Sequence, residues 1–345
     1  MCSPPARERG AVLVLALLVA LVVSALATTL YLRFDAGLRD AGNAAHGAQL
    51  REYLLGAEQL ALVAIAADSA SSDATDHLGE VWARTPPVYP IPGGQVSARL
   101  QDAQARLDLN SLAARVRTAS AVPGAAGRFS PAQRRFIRLL QTLEDVAISE
   151  AEAVAITEAV VDYIDEDHQV FGFGGAESDW YAAQSPPRRA ANGPLTSVSE
   201  LREVRGISPA LYRALAPYVV ALPQPAALNL NTAPLALLRS INREDRLDPL
   251  PAVTAARWIA ERGEQGFASV DAFIGGAASQ DLLRPEAAQL STEGLSVRSN
   301  WFLVISDVQL EGRQRRQLSL LHRDANGQRI SLRRPLSPLA GLEIL

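Results

Sequence analysis

The chain contains no lysine: all 33 basic residues are arginine. That excludes a Schiff-base amine and the lysine of a phosphate-binding loop. Cysteine occurs once, at Cys2, so neither an internal disulfide nor a cysteine-built structural zinc site can form. The four histidines, His46, His77, His168 and His322, are scattered, and the chain has neither a His-Glu-x-x-His nor a Gly-x-Ser-x-Gly string. Surplus positive charge is missing too. A net charge of -4 and a pI near 5.7 argue against a general polyanion binder, because phosphate neutralisation needs clustered cations. Hydrolytic enzymes of the common types and nucleic-acid partners are therefore disfavoured.

What the chain does have is a long apolar run near its start. Residues 11–32 carry no charge, and about 22 residues make a helix of about 33 Å, enough to cross a hydrocarbon core of about 30 Å. Read alone, the run is equally a cleavable secretory signal, with Ala25-Leu26-Ala27 as a small-x-small cleavage site and Thr28 as the new N-terminus. Residues 33–67 favour a retained anchor. They hold no proline and place Leu50, Leu54, Ala57, Ala61 and Ile65 at helical spacing. The pattern predicts one continuous helix over 11–67, its first part in lipid and its second part amphipathic. Gly37, Gly42 and Gly47 interrupt the junction, each costing about 1 kcal/mol against alanine, or else admit a neighbouring helix.

Further along, 68–76 reads as a solvated loop, and the prolines of 85–92 exclude a central strand. Residues 95–112 alternate as two short strands joined at 102–104. From 129 to 290 the chain reads as mostly helical. Ser130-Pro131 marks one helix start, Ser149 is a candidate N-cap, and Ser197 with Glu200 forms a capping-box pattern. Residues 291–345 return to alternating strands, with a turn at 324–327.

A short charged leader ending in Gly10, followed by an apolar helix from Ala11, resembles the type IV pilin and pseudopilin class. The resemblance implies that a prepilin peptidase cuts between Gly10 and Ala11 and that the helix stays as the anchor. Most members of that class carry glutamate at the fifth mature position, where this chain has Leu15. An unpaired carboxylate in lipid costs at least ~2.5 kcal/mol, so a subunit with no predecessor gains by lacking one. That departure, the Asn229 to Pro234 string and the acidic pattern below are similar to the GspK family of minor pseudopilins of the type II secretion system.

The resemblance implies an α+β class: a pilin-like fold with a long N-terminal transmembrane helix and an antiparallel sheet, interrupted by a large α-helical inserted domain. The expected organisation is a leader over 1–10, the N-terminal helix over 11–67, the first pilin-like part over 68–128, the insert over 129–290 and the closing strands over 291–345. It also implies an inner-membrane protein with a periplasmic C-terminal part, and GspI-like and GspJ-like minor pseudopilins as partners. The implied role is a tip subunit that starts pseudopilus assembly, not an enzyme.

Three constellations bear on chemistry. Asp162, Asp165, Glu166, Asp167, Glu177 and Asp179 crowd a stretch without arginine. Flexibly spaced hard oxygens suit calcium better than zinc, although the spacing is not that of an EF-hand; a solvated acidic loop is the competing reading. The GspK resemblance implies calcium, with Asp162, Asp165, Asp167, Glu177 and Asp179 as expected ligands. The segments around 201–219 and 228–273 look like helix-hairpin-helix modules of membrane-anchored DNA-uptake proteins. Ser208 stands where a second hairpin glycine would offer an amide to phosphate, so the Asn229 to Pro234 string is expected to cap a helix instead. His168, beside acidic neighbours, has no accompanying nucleophile and is read as a loop residue.

Overall fold

The structure is a computed structural model that describes residues 6–70, 75–114, 124–283, 290–324 and 327–336. The chain divides into two units, Met1–Leu55 and Gly56–Leu345. The N-terminal unit consists, as far as it is described, of the first part of helix α1 (Ala6–Ala70). Among the described residues α1 is the one helix long and apolar enough to cross a membrane. Its apolar side chains from Val12 to Leu32 are exposed, as expected of a surface meant for lipid. Its two threonines bond within the helix: the Thr28 hydroxyl donates to the Ser24 carbonyl and that of Thr29 to the Ala25 carbonyl, each at 2.8 Å. Helical backbone continues through Gly37, Gly42 and Gly47, where a Cβ would meet nothing within 4 Å.

The second unit is built on a five-stranded antiparallel sheet in the order β1-β2-β7-β8-β9. Its strands are β1 (Tyr89–Ile91), β2 (Gly94–Asp102), β7 (Trp301–Leu310), β8 (Arg313–Asp324) and β9 (Gly327–Leu336). Pro90 sits in β1, an edge strand, where a missing ladder donor is tolerated. Between β2 and β7 in chain order run the helices α2 (Pro131–Leu140), α3 (Glu150–Ile164), α4 (Ser178–Ala182), α5 (Pro209–Leu215), α6 (Leu235–Arg239), α7 (Ala252–Arg262), α8 (Val270–Gly275) and α9 (Ala277–Leu282). The fold is thus α+β, with a sheet whose first and later strands are separated by a helical segment. Two parallel two-residue pairs, β3 (Leu107–Asp108) with β4 (Val219–Val220) and β5 (Leu228–Asn229) with β6 (Leu295–Ser296), tie that segment to the chain on either side.

The expected second strand after 102–104 does not join the main sheet. A short 3-10 turn at Ala103–Ala105, capped by Asp102 accepting the Gln104 amide, redirects the chain, and β3 pairs with β4 instead. Central strand β7 is buried on both faces, which explains its near-continuous apolar run. Alternation with period two sends Phe302 and Val304 to one face, against Ala61 and Ile65 of α1. Trp301, Leu303 and Ile305 go to the other, with Val220 and Leu222. A third core, centred on Phe136, Val160, Leu215 and Trp258, belongs to the helical segment.

Two buried polar clusters fix these layers. On α1, fully buried Glu58 is bridged by Arg333 of β9 at 2.8 Å and accepts from Gln317 at 2.5 Å and from the Ser319 hydroxyl. Asn229 donates to the Asp76 carbonyl, to Asp102 and to Ser299 at 2.9 to 3.0 Å. Asn231 grips Phe267 through both its amide and its carbonyl, at 2.6 and 3.1 Å. Against the expectation from sequence, the Asn229 to Pro234 string is therefore not a helix cap. Helix α6 starts after Pro234 without a side-chain cap, and the two asparagines join distant backbone segments.

Candidate functional site

The acidic loop begins where α3 ends. Ser149 and Glu152 cap the start of that helix reciprocally, and its apolar face is buried, so its last turn is held firmly. Asp162 lies in that last turn, fully buried, and accepts the Phe171 amide with both oxygens at 2.9 and 3.1 Å. Asp165 is the C-cap, buried and extended in backbone. The chain then loops out and returns at Glu177, the N-cap of α4. Glycine is required on the return: a Cβ at Gly175 would sit 2.3 Å from the Asp162 carboxylate, and one at Gly174 would sit 2.3 Å from the Ala155 backbone.

This path brings together three of the five expected ligands. One carboxylate oxygen each from Asp165, Asp167 and Glu177 lies within 4.8 Å of the other two. Oxygens that share a cation at about 2.3–2.6 Å can lie at most about 5 Å apart, so the spacing fits calcium. Asp162 is outside this set, engaged in holding the loop. Asp179 is exposed in the first turn of α4 and is not part of it either.

Glu177 is 6% exposed, and neither of its oxygens has a hydrogen-bond donor in bonding geometry. Burial pushes its carboxyl above the ordinary range, and the nearby Asp165 charge pushes it further, with only partial relief from the Ser178 amide and His168. An ionised, desolvated carboxylate without donors is costly. A divalent cation removes that cost, so the residues present fit calcium.

Sequence reasoning missed the supports. Glu158, buried inside α3, accepts the Gly174 amide at 2.6 Å and pairs with Arg128. Arg205 donates to the Gly175 carbonyl at 3.0 Å. Its backbone amide reaches the hydroxyl of Tyr181, a buried ring whose pKa is pushed up to about 12 by desolvation. The available signal for Glu158 was its place four residues before Asp162, on the same face of α3.

His168 is exposed and its Nδ1 lies 2.8 Å from the Asn192 amide nitrogen. In the hairpin-like segment Gly206 does adopt a positive φ of 85°. Ser208, however, uses its hydroxyl to cap α5 by accepting the Leu211 amide. Arg188 pairs with Glu203, and Arg202 lies over the Tyr212 ring. Leu15 is an exposed position in the apolar run of α1. Gly10 and Ala11 lie within its helical backbone, while residues 1–5 of the expected leader lie outside the described residues.

A helix long and apolar enough to cross a membrane, followed by an antiparallel sheet with a bulky helical segment between its strands, defines the class of pilin-like subunits. Family models described as type II secretion system protein K match residues 105–224 and 228–298. The chain is 32% identical over 329 residues to type II secretion system protein K of Pseudomonas aeruginosa, covering 93% of this chain and 90% of that protein. It is also 32% identical over 322 residues to the Klebsiella pneumoniae protein of that name, covering 92% and 93%. Among solved structures it is similar to a chain of the GspK-GspI-GspJ complex from enterotoxigenic Escherichia coli, with a TM-score of 0.70 and 28% identity. That match covers 86% of this chain and 98% of the other. The chain belongs to the type II secretion system protein K family, and its role is that of a minor pseudopilin.

Proposed function

We propose that this minor pseudopilin leads the pseudopilus, starting its assembly together with GspI-like and GspJ-like subunits of the same secretion system. The observation that carries this reading is the uncharged anchor. No acidic or basic residue lies between Ala11 and Leu32, and Leu15 stands where a following subunit would carry a carboxylate for the amine of the subunit ahead. A subunit without that acid has no desolvated charge to neutralise in lipid, and so needs no predecessor. The helical segment between β2 and β7 adds bulk that is harder to repeat along a fibre than to place at its end. On this reading a prepilin peptidase cuts between Gly10 and Ala11, the anchor sits in the inner membrane, and the sheet and helices lie in the periplasm. The protein works by assembly and performs no turnover of its own.

Calcium belongs to the same proposal. Asp165, Asp167 and Glu177 hold the ion, while Asp162, Glu158 and Arg205 position the loop that brings them together. The ion supplies positive charge where three carboxylates converge, and so fastens the loop to the end of α3.

The test exchanges Leu15 for glutamate in a strain that depends on this protein for secretion. With the L15E variant, recovery of GspI-like and GspJ-like subunits with it from detergent-solubilised membranes should fall, and secretion with it. Unchanged secretion and recovery, at equal variant abundance in the membrane, would refute the leading role.

A further inference from the structure

We propose a second cation site, separate from the acidic loop, where the end of α1 meets the sheet: Asp68, Asp76 and Glu80 bind a hard divalent cation of the calcium class. One carboxylate oxygen from each lies within 4.8 Å of the other two, the same spacing that marks the loop site. Asp68 comes from the last turn of α1. Asp76 lies on the segment that follows, held by its amide on the Val297 carbonyl at 2.9 Å. Glu80 is the N-cap of a short 3-10 helix, Val81–Ala83, and accepts from the Trp82 indole.

Charge balance and one orphaned atom point to a ligand. Asp76 is 1% exposed, and its Oδ1 accepts no hydrogen bond although its Oδ2 accepts the Ser299 amide at 2.7 Å and pairs with Arg323. Among the described residues Arg323 is the guanidinium in contact with the group, reaching Asp68 at 3.5 Å as well as Asp76, and it is shared, donating also to the Ser299 carbonyl and to Ser69. His77 accepts the Gly79 amide on Nδ1, which places the proton of a neutral ring on Nε2, facing Glu80 at 3.5 Å. The ring is then a donor to the cluster and not a ligand, leaving an all-oxygen set of the kind calcium takes. Three carboxylates against one guanidinium leave a formal charge of about -2 in a largely buried place, which one divalent ion cancels. Burial raises the Asp68 and Glu80 carboxyls, in keeping with an excess of negative charge.

The rival is a metal-free network in which Arg323 and a protonated His77 balance the acids. Terbium, a luminescent calcium substitute, separates the two. The full chain in detergent micelles, stripped by chelator, is titrated with terbium under tryptophan excitation, using Glu177→Gln to disable the loop site. The expected result is saturable, calcium-displaceable emission near one equivalent per chain, sensitised by Trp82. Adding Glu80→Gln, which keeps an acceptor for the indole and leaves the Asp76–Arg323 pair intact, should weaken it at least tenfold. Asp68→Asn serves as a second variant, and circular dichroism confirms that each is folded. Absence of saturable emission in the Glu177→Gln chain, or emission indifferent to both further changes, would overturn the site. The two sites fail separately. If the loop binds nothing, wild type and Glu177→Gln give the same one-site titration, which Glu80→Gln still weakens at least tenfold.

Discussion

Replacing Glu177 by glutamine isolates the physics of the acidic loop, because it removes one charge while keeping the side chain's size. In chelator the wild-type loop holds a buried carboxylate without donors facing Asp165. Its folded pKa lies above the ordinary value of 4.5, so folding favours the protonated form. Stability from this group is therefore present below 4.5 and declines as pH rises through the folded value. The amide lacks that penalty, and the variant should match or exceed wild type in chelator at pH 7. Calcium reverses the order. At a free concentration one hundredfold above its dissociation constant the ion adds about 2.7 kcal/mol. For a folded part of this size about 2–4 °C accompanies each kcal/mol, so wild type should gain about 5–10 °C in Tm while the variant gains little. Thermal melts followed by circular dichroism, in chelator and in millimolar calcium, decide it. A wild-type Tm indifferent to calcium, or a variant that responds as wild type does, would refute the reasoning.

Other outcomes follow from the packing. Glu58→Ala should cost about 2–3 kcal/mol in urea unfolding, less than for a fully buried pair because Arg333 is half-exposed, while leaving Ser319 and Gln317 without their acceptor. Gly266→Ala should be destabilising by at least about 2 kcal/mol, since φ is +72° and a Cβ would lie 2.5 Å from Asn231, breaking the grip on Phe267. Asp108, raised to about 6 by burial despite three backbone amides, gives a pH signature. Its contribution is full below 3.8 and fades toward pH 6, so the stability advantage of wild type over Asp108→Asn should shrink across that interval in urea titrations.

Local signals carried much of this structure. Ser149 and Ser197 cap the helices their sequence patterns announce, and Asp324 at the end of β8 pairs with Gly327 at the start of β9. The long helix was legible because one uncharged run and one helical-period stripe continue each other without proline. What stayed hidden depends on partners far apart in sequence. Asp76, Asp102, Asn229 and Ser299 meet around one buried amide, yet nothing in the neighbourhood of any one of them indicates the others. The asparagine string misled for the same reason: cap-forming residues before a helix look alike whether they bond locally or reach across to Phe267. In the acidic loop the composition was plain, but which carboxylates converge was set by the close glycine approach of 174–175 to α3, and that left Asp162 and Asp179 outside the set of three.

The central claim is that the apolar helix is kept and holds the protein in the membrane. Mass spectrometry of the N-terminal peptide, taken separately from membrane and soluble fractions of cells making the native protein, tests it most directly. The expected result is a membrane-bound chain beginning at Ala11; a soluble chain beginning at Thr28 would contradict retention of the helix.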